Sequence, residues 1–484
     1  MFKKRFILVG TLIVFLVSTM GLMAGTEKGK VPLIPMKDFF KNPVKAGFQL
    51  SPDGEHLAFL QSWKNRLNVY VQKIGEKRVT RVTSAEKRDI PGYFWANNKR
   101  IVYVQDTAGD ENFRAYAVNI DGTNPKELTP FEKTRVQLID DLENNLDEML
   151  IGLNKRNKRI FDVYRINIDT GEMKMIAENP GNISGWVTDH DGKLRIAATT
   201  DGVNTSLLYR EKESEPFKTI ITTDFKETIA PLFFTFDNKY LYVSSNIGRD
   251  KRAIFKYDVA NNKFLEKIYE HPEVDVAQLL SSDKRKKITG VLYATDKRHY
   301  HFFDKKRKDL QIDLEKRLPG LEVVIAGSSK DESKILVASY SDKNMGTYYY
   351  YNIPKGDFKK LEDVSPWLKP EHMAAMKPIK YKSRDGLTIH GYLTLPKGAA
   401  AKNLPVVVNP HGGPWYRDSW GYNPEVQFLA NRGYAVLQVN FRGSTGYGRK
   451  FWESSFKEWG RSMQDDITDG VKWLIKEGIA DPKK

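Results

Sequence analysis

A period restricts the fold more than any other feature of this chain. Seven times between residues 45 and 365, turn-forming polar residues precede a β-forming run: "SPDGEHLAFL" at Asp53, "WANNKRIVYV" at Asn97, "ENNLDEMLIGL" at Asn145, "DHDGKLRIAAT" at Asp191, "FDNKYLYVSS" at Asp237, "SSDKRKKITGVL" at Asp283 and "SKDESKILVASY" at Asp331. Successive copies are 44 to 48 residues apart. A second β run follows each, from "NVYVQKI" and "FRAYAVNI" through "DVYRINI", "TSLLYRE" and "AIFKYDV" to "YHFFDKK" and "YYYYNI". A short third run, as in "TRVTS" and "KELTP", closes several units. Small sheets repeated at this period predict a β-propeller of about seven blades, because a closed ring leaves few free strand edges. The third and sixth copies are the weakest, so six and eight blades stay open. A β-sandwich array would not need so even a spacing. A propeller by itself names no reaction.

Composition agrees and excludes several chemistries. The 23 Tyr, 25 Phe and 9 Trp favour strands. With no Cys, thiol catalysis, Cys-ligated zinc, iron–sulfur sites and disulfides are ruled out. The net charge of +16 is spread among 61 acidic residues, and the densest basic clusters, "DKRKK" and "DKKRKD", themselves contain Asp. That reads as a solvated Lys-rich surface, and no nucleic-acid partner is expected. Among the eight His there is no His-Glu-x-x-His, and His299-Tyr300-His301 sits in a predicted blade strand without an evident third ligand. No metal is expected.

The N-terminus places Lys3, Lys4 and Arg5 before an apolar stretch from Phe6 to Ala24. This is the layout of an export signal, so residues 1–24 are expected to be a signal peptide or, if uncleaved, a membrane anchor, and the protein to be periplasmic or extracellular.

From Pro366 the pattern changes, with three prolines up to Pro378 marking a linker. The expected division is a propeller with an N-terminal extension over 25–370 and a second domain over 371–484. "LTIHGYLTLP" predicts a strand, "LPVVVNPHGGP" a buried strand ending in a Gly-rich turn, and "NPEVQFLANRG" a helix stopped by Gly433. "YAVLQVNFRG" predicts another buried strand. "SMQDDITDGVKWLIKEG" predicts a helix with Met463, Ile467, Val471, Leu474 and Ile475 on its inner face and Gly478 at its C-cap. Strands alternating with helices mean a parallel α/β sheet.

Two loops invite chemistry. In "NPHGGPW", 409–415, paired glycines after a buried strand let backbone N–H groups approach a ligand, as an oxyanion hole requires; a plain strand-to-loop turn is the alternative. In "NFRGSTGYGRKFW", 440–452, neither the Walker pattern nor G-x-G-x-x-G is present, so the loop reads as a packing element and no nucleotide is expected.

Together, "NPHGGPW…FLANRGYAVLQVNFRGSTGYGRKFW…WGRSMQDDITDGVKWL" resembles the start of the catalytic domain in the prolyl oligopeptidase family, most closely its acylaminoacyl-peptidase and dipeptidyl-peptidase-like bacterial branch. The resemblance implies a β-propeller followed by an α/β-hydrolase domain. It implies a serine peptidase that hydrolyses short peptides through an acyl-enzyme, without a cofactor. An esterase on the same scaffold, and a propeller that binds peptides or partners beside an inert hydrolase remnant, are the alternatives.

In that family the segment resembling "IADPKK" leads into the nucleophile elbow, a Gly-x-Ser-x-Gly turn, with Asp and His later. No such turn occurs in these 484 residues, and Ser184, Ser328 and Ser444 all have the wrong neighbours. The chain therefore reads as an N-terminal fragment with an incomplete hydrolase domain, lacking the triad and inactive alone. The strand "PVVVNP" is expected to present an open apolar edge. What the resemblance carries over is the oxyanion turn, with Gly413 and Gly412 supplying N–H groups. His411 is its third candidate, since relatives with Tyr there use the hydroxyl. Arg442, Trp459 and Asp465 match recurrent positions and are read as structural supports.

Overall fold

In this computed structural model, residues 31–142 and 144–483 are described. The expected signal or anchor over 1–24 lies outside them. No described helix is long and apolar enough to cross a membrane.

Seven antiparallel sheets follow one another over 45–81, 92–127, 136–177, 183–223, 229–269, 276–302 and 322–363. Each is built from strands consecutive in the chain, so the period is the blade. Neighbouring blades bury apolar residues between their faces. Val69 and Val71 of the first meet Trp95 and Ile101 of the second, and Leu207 of the fourth meets Phe234 and Val243 of the fifth.

The polar residues that mark the repeat lie in the turn between the first and second strand of each blade. They act twice. Within the turn a side-chain oxygen accepts from the N–H two residues on, as Asp53 does from Glu55 (2.9 Å), Asn97 from Lys99 (2.9 Å) and Asp331 from Ser333 (3.0 Å). In the fourth blade Asp189, rather than the expected Asp191, accepts in this way, from the Asp191 N–H at 3.0 Å. The same turns then bond to the next blade. The Asp53 N–H donates to Asn98 (3.0 Å), the Asn97 amide to the Leu146 carbonyl (3.1 Å) and the His190 N–H to Asn238 (2.9 Å).

The ring closes without a strand shared between its ends. The first and seventh blades meet through Phe48 and Tyr348 (4.8 Å between rings), Lys45 and Glu362 (2.9 Å), and the Lys330 N–H donating to the Pro52 carbonyl (2.7 Å).

The sixth blade departs from the pattern, with only three strands. The run "YHFFDKK" stops being a strand at Phe302, and helix Lys305–Arg317 follows where an outer strand would lie. Asp304 caps this helix through the Arg307 N–H (2.8 Å), and Leu314 packs with Val323 and Ile335 of the seventh blade.

After the propeller comes a four-stranded sheet in the order Met376–Lys382, Thr388–Thr394, Ala435–Asn440, Val406–Val408. The last two strands are parallel. Strand Ala435–Asn440 is buried along its whole length, as expected. Strand Val406–Val408 is not: it is three residues long and only half-buried. It lies at the sheet edge, pairing with Ala435–Leu437 on one side, while Leu404 makes a single parallel bridge to Ala480.

Helix Ser462–Lys476 crosses one sheet face, with Met463 and Leu474 in a core with Ile389, Leu393, Leu437 and Val439. The expected apolar stripe is only partly right. Ile475 is 38% exposed, and Asp466, Asp469 and Gly470 occupy the inner face. Gly470 is there because the helix runs close to the sheet: a Cβ at that position would lie 2.8 Å from the Tyr381 hydroxyl. Helix Pro424–Asn431 lies on the opposite side, where Phe428 packs with Phe39 and Met373.

Candidate active site

The parallel strands Val406–Val408 and Ala435–Asn440 release their loops at the same edge of the sheet, where α/β folds place ligands. The first loop is bound to the second strand at its start, with the Asn409 N–H donating to the Leu437 carbonyl (2.8 Å). The His411 ring then stacks on Phe441 at 4.6 Å and 17°. Its Nε2 lies 2.8 Å from the Ser444 hydroxyl and its Nδ1 3.0 Å from the Gly412 carbonyl. Further along, the Thr445 N–H donates to the Tyr416 carbonyl (2.8 Å), so the two loops brace each other.

Gly412 and Gly413 stand exposed at the tip of this braced turn. Gly413 has φ +130, and a Cβ there would lie 2.9 Å from the Trp415 nitrogen, so glycine is required. Among the described residues neither glycine N–H donates a hydrogen bond to a protein group. Two adjacent unpaired donors on a fixed turn can bind a carbonyl oxygen or an anion.

The His411–Ser444 contact joins the residue types needed to activate a nucleophile, yet Ser444 is 0% exposed and its hydroxyl also lies 2.7 Å from the Phe441 carbonyl. No substrate carbonyl reaches it. The pair locks the loops together, in keeping with the wrong sequence neighbours of Ser444.

The three expected supports separate. Arg442 is one: its guanidinium grips Asp466 through Nε (2.8 Å) and Nη2 (2.7 Å), and its backbone N–H donates to the same carboxylate (2.9 Å). Asp466 is wholly buried and also accepts from the Ser383 hydroxyl (2.7 Å), so this charge is paired and hydrogen-bonded. Asp465, one residue earlier on the helix, points elsewhere and meets Arg384 at a partly exposed site (2.8 Å). Trp459 supports no core: it is 69% exposed. Hydrogen bonds from Arg384 hold the neighbouring Asp469 carboxyl down to about 2.

Other residues gave no motif. Asn440, fully buried, accepts from the Asp418 N–H (2.8 Å) and donates to the Asp418 carbonyl (3.1 Å) and the Tyr447 hydroxyl (3.0 Å). Burial raises the Asp418 carboxyl above its ordinary range, against the opposing influence of His411 and a bond from Gln438. Between propeller and sheet lies a cavity of about 970 Å³, lined among others by His271, Glu273, Asp296, Lys380, His390 and Tyr447. His390 stacks on Tyr447 at 4.9 Å, and burial, helped by Lys380 and Arg417, pushes its imidazole down to about 4. His299 and His301 lie against Tyr293 and Tyr269 in the sixth blade.

The propeller is fastened to the two loops. The Asp275 N–H donates to the Gly446 carbonyl (2.9 Å), the Arg449 N–H to the Asp250 carbonyl (2.8 Å), and Arg417 to the Ala294 carbonyl (3.1 Å). Fold and site together define a propeller-capped α/β hydrolase. The chain belongs to the prolyl oligopeptidase family, whose model matches residues 406–484. It is 34% identical over 475 residues to dipeptidyl aminopeptidase BIII of Pseudoxanthomonas mexicana, covering 94% of this chain and 67% of that protein. It is 27% identical to dipeptidyl peptidase family member 6 of Caenorhabditis elegans, covering 93% and 66%. The chain thus spans about two thirds of the length of these curated relatives. Among solved structures, a Mycobacterium tuberculosis puromycin-hydrolyzing peptidase superposes with a TM-score of 0.68 at 17% identity, covering 94% of this chain and 75% of that one. A prolyl endopeptidase structure does so with 0.70 at 12% identity, covering 92% and 68%.

Proposed function

We propose that this chain is the propeller and leading hydrolase portion of an exported serine peptidase that cleaves short peptides through an acyl-enzyme. The observation that carries the reading is the pair of free N–H groups on the Gly412-Gly413 turn, at the strand edge where a hydrolase builds its oxyanion hole. Membership in the prolyl oligopeptidase family and the dipeptidyl-peptidase names of the relatives support a peptide substrate.

In the complete enzyme a serine attacks the peptide carbonyl, a histidine takes and returns the proton, and an aspartate orients that histidine. The present residues supply the other half of the chemistry. As the carbonyl becomes tetrahedral, charge develops on its oxygen, and the Gly413 N–H, with that of Gly412, donates to it. His411 positions the turn through Phe441 and Ser444 rather than acting as the base. The propeller restricts access to small peptides.

The test is to express the reading frame to the length of the relatives and measure fluorophosphonate labelling and release of dipeptides from chromogenic peptides. Labelling and peptide release are expected there, and neither from the 484-residue chain, which has no Gly-x-Ser-x-Gly. Labelling of the 484-residue chain, or an extended protein that cleaves esters but no peptides, overturns the reading. Gly413→Ala in the extended protein should lower kcat on the order of a hundredfold with little change in KM.

A further inference from the structure

Six of the seven blades have four strands, and the sixth has three. Its sheet therefore stops one strand, about 4.8 Å, short of theirs. The outermost strand is Arg298–Phe302, and only one of its edges is paired, to Lys287–Ala294. The register fixes which groups face outward. At one end of this ladder the Phe303 N–H donates to the Thr289 carbonyl (2.9 Å), and at the other the Thr295 N–H donates to the Lys297 carbonyl (3.1 Å). Bonded and unbonded pairs alternate between antiparallel strands, so His299 and His301 bond inward, while Arg298, Tyr300 and Phe302 turn their N–H and C=O groups to the open edge. Among the described residues no further backbone group bonds to Tyr300 or Phe302.

Helix Lys305–Arg317, which follows this strand in the chain, does not supply the missing hydrogen bonds. Its own backbone bonds are internal, and it leans onto the seventh blade, where Leu314 and Leu318 pack with Val323 and Ile335 and the Gln311 amide donates to the Val323 carbonyl (3.0 Å). It meets the sixth blade through a face, with the Arg307 guanidinium over the Phe302 ring at 5.2 Å.

Charge selects the occupant of this edge. The two densest basic runs of the sequence, 284–287 and 305–308, meet at one end of it, joined through Asp304, which pairs with Arg285 and with Lys287 at 2.7 Å each. Asp304 is taken by that bridge and Asp309 by Lys305 (2.5 Å). Lys286, Lys306 and Lys308 are exposed and, like the exposed Arg298 at the other end, have no ion pair among the described residues. Four uncompensated cations around a row of open N–H and C=O groups repel the same edge of a second copy and attract an extended chain rich in Asp and Glu. We propose that the sixth blade takes an acidic, extended segment of another protein as its fourth strand, bonded to the backbone of Tyr300 and Phe302. Main-chain bonds supply the hold, and the cations supply the choice of partner. This binding does not involve the Gly412-Gly413 turn and stands apart from the peptidase reading.

The test is fluorescence anisotropy of labelled, end-capped peptides with the 484-residue chain. EVEVEVE should bind, EVEPEVE, whose proline removes a strand donor, on the order of tenfold more weakly, and KVKVKVK not at all. Hydrogen exchange should show the Tyr300 and Phe302 amides gaining protection when EVEVEVE is bound. Lys286→Glu, Lys306→Glu and Lys308→Glu in one protein should weaken EVEVEVE on the order of tenfold, and these exposed positions leave the fold intact. Tyr300→Pro, which removes one outward N–H where a strand edge tolerates proline, should weaken it similarly.

Equal binding of EVEVEVE and EVEPEVE, with no protection gained at Tyr300 and Phe302, overturns strand addition, because the cations then act as a plain polyanion contact. Binding of an oligothymidylate as tight as that of EVEVEVE does the same. Affinity unchanged in both variants, or no binding at millimolar peptide, overturns the site itself.

Discussion

In the propeller, strands that are neighbours in a sheet are neighbours in the chain; in the α/β half the order is broken, and the strand Ala435–Asn440 is inserted between two that precede it. The difference extends to the polar groups. Propeller turns are satisfied within a few residues and then by the next blade, about one period away. The buried Asp466 gathers its partners from Arg442, on a loop 24 residues earlier, and from Ser383, 83 residues earlier. The repeat's turns make equivalent small contacts at each period, whereas the Asp466 carboxylate collects partners that are far apart in the chain.

The largest expected effect comes from removing this carboxylate. Asp466→Ala leaves the buried Arg442 guanidinium with the half-exposed Asp385 (2.8 Å) as its remaining ionic partner, at a cost of about 3 kcal/mol, the low end for breaking a buried pair. Hydrogen exchange should show loss of protection over 376–483 with the blades unchanged. Equal loss in the blades would mean that both halves unfold as one unit.

A smaller effect concerns the seam between the halves. His390 faces Lys380, Arg417, Lys251 and Glu273 and stays neutral in the folded protein down to about pH 4, against an ordinary value of 6.5. Between those values the unfolded chain binds the extra proton, so this contribution is complete above pH 6.5 and is lost as pH falls toward 4. Allowing for the part of the ring open to the cavity, the loss is about 1–2 kcal/mol. Urea unfolding at pH 7 and pH 4.5 should show it in the native protein, and His390→Phe, which keeps a ring against Tyr447, should flatten the dependence.

The smallest effect falls on the repeat. Asn98→Ala removes the bond from the Asp53 N–H between the first two blades and should cost about 0.5–1.5 kcal/mol, read from the urea midpoint. A loss as large as that of Asp466→Ala would show that the ring, too, depends on single contacts.

The same contrast governs what could be read from sequence. The blade number was legible because residues such as Asp53 and Asn97 serve both turn and ring, so the demand recurs at each period. The sixth blade's helix was obscured because its capping Asp304 sits in a Lys-rich run that follows β-forming residues without a break. In the α/β half the Gly412-Gly413 turn was visible as a motif, since the backbone geometry at Gly413 demands glycine. The role of Asp466 was not, because two consecutive aspartates differ only in which side of the helix they occupy. His390, Asp418 and Asn440 owe their environments to contacts across the fold, which leave no local pattern.

The manner of ring closure has a mechanical consequence. A ring whose ends meet through a tilted ring pair within a shared apolar cluster, two ion pairs and a loop hydrogen bond, but through no peptide link, resembles a split washer. Tension applied between residues 45 and 363 should part the joint at low force, in a single early step, and only later unravel the blades one by one.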